Sequence, residues 1–150
     1  MLCAEGEEMI GILTAIAAGA AMSLQGVFNA RLSEKAGLFT SGAFVQTMAA
    51  ALAIAAALIA RDGGVRQLGQ TNRVYWLGGV LGLVITLTVM LATRSLGPGA
   101  AVSVILVAQL LTAAAFDAFG WFGTEKTAFT WRQWTGLAAM IGGAILFQRK

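Results

Sequence analysis

The chain has 150 residues, of which 58% are hydrophobic and 11% charged, with a formal net charge of +3. Soluble domains run at roughly 45–50% and 25% for those two classes, so too few ionised side chains exist here to clothe a surface in water. A lipid bilayer is the expected surroundings; the small net charge gives no reason to expect nucleic acid, and without histidine the commonest metal ligand and general base is missing.

A helix that crosses hydrocarbon needs about 20 mostly apolar residues. Five stretches meet that need, at about 9–30, 38–60, 74–93, 99–121 and 131–148. The expectation is a single all-α integral membrane domain over residues 1–150. A membrane barrel is rejected, because its strands alternate apolar and polar residues and the run from Ala49 to Ala60 does not.

The segment ahead of the first span carries Glu5, Glu7 and Glu8 and no cation, whereas a signal peptide has a positive start. Met1 to Glu8 are expected either to be disordered or to lengthen the first helix, and to be dispensable. Cys3, alone in the chain, has no partner for an internal disulfide. Within the first span Gly11, Ala15, Ala18, Met22, Gln25 and Asn29 recur at helical spacing. Gln25 and Asn29 therefore share a face with small residues and point at protein or a cavity, not at lipid.

Arg31, Glu34 and Lys35 fill the gap before the second span, which holds Gln46 near its middle, with Gly42 and Ala50 four residues to either side. Arg61, Asp62, Arg66 and Arg73 follow, with a turn at Asp62-Gly63-Gly64. Tyr75 and Trp76 open the third span, Gly78 and Gly82 give it a small-residue face, and Arg94 closes it. In Gly97-Pro98-Gly99 the proline can start the fourth helix, where its missing N–H costs nothing. Gln109 lies closest of the amides to a span centre. Trp121, Trp131 and Trp134 join Tyr75 and Trp76 at span ends, the depth that amphipathic rings prefer, and Glu125, Lys126 and Arg132 occupy the last gap.

Amides at membrane depth have two readings. They can pair across helices for about 0.6–2 kcal/mol each, or they can hold a solute without titrating, since each supplies donors and an acceptor. Asp117 is the ionisable residue set deepest in a proposed span, ~10 Å from its centre. Hydrocarbon and the helix dipole both disfavour a negative charge there. It reads as a coupling or gating group, as a carboxylate reaching for the interface, or as the partner of Arg94.

Orientation follows the cations near span ends. Arg61, Arg66, Arg73, Lys126 and Arg132 fall on one side of a five-span chain, and Arg31, Lys35, Arg94, Arg149 and Lys150 on the other. With the count tied, either one local signal decides, the acidic start lying outside, or the chain inserts both ways and pairs head to tail.

Two segments carry a family signature. One is Leu24-Gln25-Gly26-Val27-Phe28-Asn29-Ala30-Arg31-Leu32; the other runs from Leu96-Gly97 through Val107-Ala108-Gln109-Leu110-Leu111 to Phe116-Asp117-Ala118-Phe119-Gly120. With the stretch from Trp76 to Gly82 they resemble the YdcZ-type family of bacterial inner-membrane proteins, in the drug/metabolite transporter superfamily. Ala108 stands where that family usually has glycine and Ala118 where it often has histidine, which weakens any proton relay. The resemblance implies a multi-pass protein of the bacterial inner (cytoplasmic) membrane and secondary transport of a small solute by alternating access, without cofactor or metal. A lone five-helix chain would be half of an inverted-repeat transporter. An antiparallel homodimer, or a heterodimer with a close relative, would complete it. The solute site of such repeats lies near the midplane, where Gln109 falls, with Gln25, Asn29 and Gln46 as further binding candidates and Asp117 and Arg94 for coupling or gating. The alternative is a non-transporting membrane subunit that stabilises or regulates a partner. An enzyme is disfavoured, because no motif pairs a nucleophile with a base.

Overall fold

The computed structural model describes residues 2–60, 64–120 and 130–148. Regular structure among them is helical throughout: α1 (Leu2–Ala36), α2 (Leu38–Ala60), α3 (Val65–Leu68), a 3-10 turn over Arg73–Trp76, α4 (Leu77–Leu96), α5 (Pro98–Phe119) and α6 (Trp131–Gln148). Four segments are long and apolar enough to cross a membrane: Gly6–Ala36, Leu38–Ala60, Arg73–Leu96 and Pro98–Phe119. The fifth expected span forms as α6, but Arg132 and Gln133 in its first turn and Gln148 at its end cut down the apolar run, and it does not join the other four.

Helix ends differ from expectation for local reasons. α1 was expected to stop near residue 30, yet it runs on through Arg31, Glu34 and Lys35 to Ala36. Charged side chains end a hydrophobic run without ending a helix, and Arg31 and Glu34 even pair across one turn at 3.3 Å, on the surface. What stops α1 is Gly37, at φ +84°, a left-handed conformation that suits glycine. Its N–H donates to the carbonyl of Ser33, and its own carbonyl accepts from the N–H of Ser41, both at 3.1 Å. A single residue thus links α1 to α2. At 35 residues, α1 is ~52 Å long against a hydrocarbon core of ~30 Å. Of the two expectations for its start, Leu2 to Glu8 follow the second and lengthen the helix; Met1 lies outside the described residues.

The third span opens as a 3-10 turn, where the Val74 N–H donates to the Asn72 side chain at 3.1 Å. Pro98 takes the start of α5, as its chemistry demands, and Gly120 caps the other end at φ +64°, its N–H donating to the Phe116 carbonyl. Trp121, Glu125 and Lys126 lie outside the described residues, as do Arg61, Asp62, Gly63, Arg149 and Lys150. α6 begins with half of a capping box, the Gln133 side chain reaching back to the N–H of Thr130. Thr130 precedes the helix, and both its N–H and its hydroxyl donate to Gln133 Oε1 at 2.7 Å.

The chain packs as two units, Met1–Arg94 and Ser95–Lys150. In the first, glycines set the helix spacing. A Cβ on Gly26 would lie 3.4 Å from Val89, so α1 rests against α4 there; a Cβ on Gly42 would lie 2.7 Å from Leu87 Cδ2. Gly82 faces Gln46, whose Nε2 would be 3.6 Å from a Cβ on it. Rising numbers on α2 meet falling numbers on α4, so these two helices run antiparallel. Ala30 and Met90 are buried here together with the polar Asn29, Ser33 and Ser41. At Gly11, the start of the expected stripe on α1, and at Gly19 a Cβ would meet nothing within 4 Å among the described residues.

In the second unit the start of α5 meets the end of α6: a Cβ on Gly99 would lie 2.8 Å from the Phe147 ring. At the other end Leu111, Ala114, Ala115, Ala118 and Phe119 of α5 line a hollow with Trp134 and Leu137 of α6. Ala101 and Leu137 are its buried apolar residues. Large apolar side chains elsewhere stand outward, Phe39, Leu58 and Ile59 among them. A bilayer removes that apolar surface from water, so the exposure suits the composition.

Candidate solute site

The first unit holds a groove of about 500 Å³ lined by Phe39, Ala43, Gln46 and Thr47 of α2 and by Gly79, Leu83 and Leu87 of α4. It lies beside the place where α2 and α4 approach at Gly42 and Leu87. Gly79 forms part of its wall and has no protein atom within 4 Å of where a Cβ would stand. The groove covers about two turns of α2, ~12 Å along its axis.

Its polar groups are few and not equally free. The Thr47 hydroxyl donates to the Ala43 carbonyl at 2.8 Å, as helix-embedded threonines commonly do. Thr86, on the neighbouring turn of α4, likewise donates to Gly82. Gln46 makes no hydrogen bond among the described residues. Its amide is the group in the groove with unspent donors and acceptor, within a few residues of the middle of α2 (Leu38–Ala60).

The other expected site residues are scattered. Asn29 is 8% exposed and makes no side-chain hydrogen bond among the described residues; it shares a face with Gly26, Ala30 and Ser33. Gln25 is exposed on α1. Gln109 is exposed near the middle of α5, and the hollow between α5 and α6 does not include it. Asp117 is exposed in the last turn of α5, in the second unit; Arg94 is exposed in the last turn of α4 and closes the first. Gln25, Asn29 and Gln46 thus belong to one unit and Gln109 to the other.

Ser41 was not among the expected residues. It is fully buried, and its Oγ has no hydrogen-bond partner among the described residues. Ser33, four residues before Gly37 as Ser41 is four after, is also buried, but its hydroxyl donates to the Ala30 carbonyl at 2.8 Å. An orphan hydroxyl in a packed junction costs about 1–3 kcal/mol. A sequence signal was present in Ser41-Gly42, a small pair directly after the glycine turn.

A family model described as "Putative inner membrane exporter, YdcZ" matches residues 10–146, all but the two ends of the chain. No curated protein and no solved structure gave a match.

Proposed function

The chain belongs to the YdcZ family of inner-membrane proteins, and from that premise we propose that it moves a small solute by alternating access, as one half of an antiparallel pair. It is a multi-pass inner-membrane protein, with four helices long and apolar enough to span. The observation that carries the transport reading is the free Gln46 amide in a groove at membrane depth. Helix glue needs a partner, and this amide has none among the described residues.

In this reading the second half of the pathway comes from a copy of opposite orientation, or from a close relative. Gln109, exposed at the middle of α5, faces the pathway when the pair forms, with Gln25 and Asn29 contributing from α1. Asp117 and Arg94 act near the membrane faces as coupling or gating groups. The tied cation count supports dual insertion, and no group in the site requires a cofactor or metal.

The test begins with purified protein in lipid nanodiscs, screened by thermal shift against metabolites and drugs. A stabilising compound is then followed as flux in proteoliposomes. Gln109→Leu is expected to express and insert normally and to lose flux. Undiminished flux in that variant would remove Gln109 from the pathway, and no flux of any stabilising compound in the unaltered protein would remove transport itself.

A further inference from the structure

The Gln46 groove also says what kind of molecule it takes, and here the argument rests on the transport reading above. None of its seven lining residues is ionisable: Phe39, Ala43, Gln46, Thr47, Gly79, Leu83 and Leu87 offer apolar surface, one hydroxyl already engaged, and one free amide. A charge brought into such a wall at hydrocarbon depth would leave water and meet no counter-charge, which is the costliest transfer available to a solute. A neutral molecule with a single hydrogen-bonding group meets its full complement there, because the amide can act as donor or acceptor. The volume of about 500 Å³ lies within the ~300–1,000 Å³ of small-molecule sites.

Access follows from depth. Gln46 stands three residues from the middle of a 23-residue helix, ~4.5 Å along the axis. The groove is open, not an enclosed cavity. At that depth a solute entering from the lipid comes through the hydrocarbon, so it must already partition there. We infer that the groove between α2 and α4 binds an uncharged, lipophilic molecule carrying one hydrogen-bonding group, taken from the bilayer, with Gln46 as its polar anchor and Gly79 leaving the room for its body.

Gly79 makes this testable without disturbing the fold. A Cβ there would meet nothing within 4 Å among the described residues, and one on Gly78 beside it is equally unobstructed, but Gly78 does not line the groove. Gly79→Leu therefore fills the groove, while Gly78→Leu makes the same change in helix propensity outside it. The probes are benzophenone, neutral and with its ketone as the one hydrogen-bonding group, and the same benzophenone carrying a trimethylammoniomethyl group. Each is photo-crosslinked to the full chain in nanodiscs, and the labelled peptides are mapped by mass spectrometry. The neutral probe is expected to label the Phe39–Thr47 and Gly79–Leu87 segments and the cation not to. Gly79→Leu should abolish that labelling and Gly78→Leu preserve it. Gln46→Leu should lower it about two- to tenfold, the worth of one hydrogen bond. Equal labelling by the cation overturns the inference, as does labelling that survives Gly79→Leu. Absence of labelling by either probe also overturns it, a lipid chain or a partner helix then filling the groove. Labelling as expected without flux of any compound supports the binding site and sinks transport. Flux that ignores Gly79→Leu keeps transport and sinks this site.

Discussion

Replacing Gly42 with alanine tests the close approach of α2 to α4 beside the groove. The added Cβ would stand 2.7 Å from Leu87 Cδ2, and ordinary contact begins near 3.4 Å, so the leucine must retreat by about 0.7 Å. Overpacking of this kind costs about 1–3 kcal/mol. Alanine also favours a helix over glycine by ~1 kcal/mol. The single variant is thus expected to range from neutral to about 2 kcal/mol less stable, a range too broad to decide anything. Gly11→Ala supplies the reference, since it brings the same propensity gain and meets nothing within 4 Å. The difference between the two isolates the steric term, and Gly42→Ala should fall below Gly11→Ala by about 1–3 kcal/mol. Adding Leu87→Ala to Gly42→Ala removes the methyl group in the way. The cycle should then show a favourable coupling of about 0.5–3 kcal/mol. The assay is unfolding by SDS in bicelles, followed by tryptophan fluorescence. Equal stability of Gly42→Ala and Gly11→Ala, with no coupling to Leu87, would refute the close approach of α2 and α4.

Other expectations follow from the same geometry. Asp117→Asn keeps the side-chain shape and removes the charge; if Asp117 couples proton movement to transport, a pH-dependent flux becomes pH-independent, and an unaltered profile leaves it an interface carboxylate. In a Cys3→Ser background, Gln70→Cys, exposed between α3 and the 3-10 turn, should be labelled by impermeant maleimide from both membrane faces; labelling from one face alone excludes dual insertion. Removing residues 1–8 should leave insertion and stability unchanged, because the described part of that segment only prolongs α1 beyond the apolar run; loss of insertion on truncation contradicts this.

Apolar runs marked the helices well because hydrocarbon imposes one length on every span. They marked helix ends less well. Arg31 to Lys35 read as a loop, since charges leave the bilayer, but leaving the bilayer does not require leaving the helix, and only Gly37 does that. The last helix shows the converse: its sixteen uncharged residues after Arg132 looked sufficient, yet Gln133, Thr135 and Gln148 take too many positions. For the site, its position near the middle of the second span picked out Gln46 as an amide at depth. It could not reveal that Gln46 looks across to Gly82, or that Gly79 leaves a hollow beside it, because the register between α2 and α4 is set by Gly42 against Leu87. Ser41-Gly42 marked a small pair after the glycine turn, but the burial of Ser41 depends on what packs over it.

The single residue between α1 and α2 carries a consequence for biosynthesis. One residue cannot cross a bilayer, so both helices meet Gly37 at the same face, and if both span, they must do so in opposite directions. They then enter the translocon as a helical hairpin, with no loop between them for the machinery to retain or release. A choice of orientation made for α1 is therefore made for α2 at the same moment. Charges that bias topogenesis, such as Arg31 and Lys35, act on the hairpin as a whole. A chain that inserts both ways would invert in such blocks, and moving one cation near Gly37 should turn over 58 residues of helix together, the 35 of α1 and the 23 of α2.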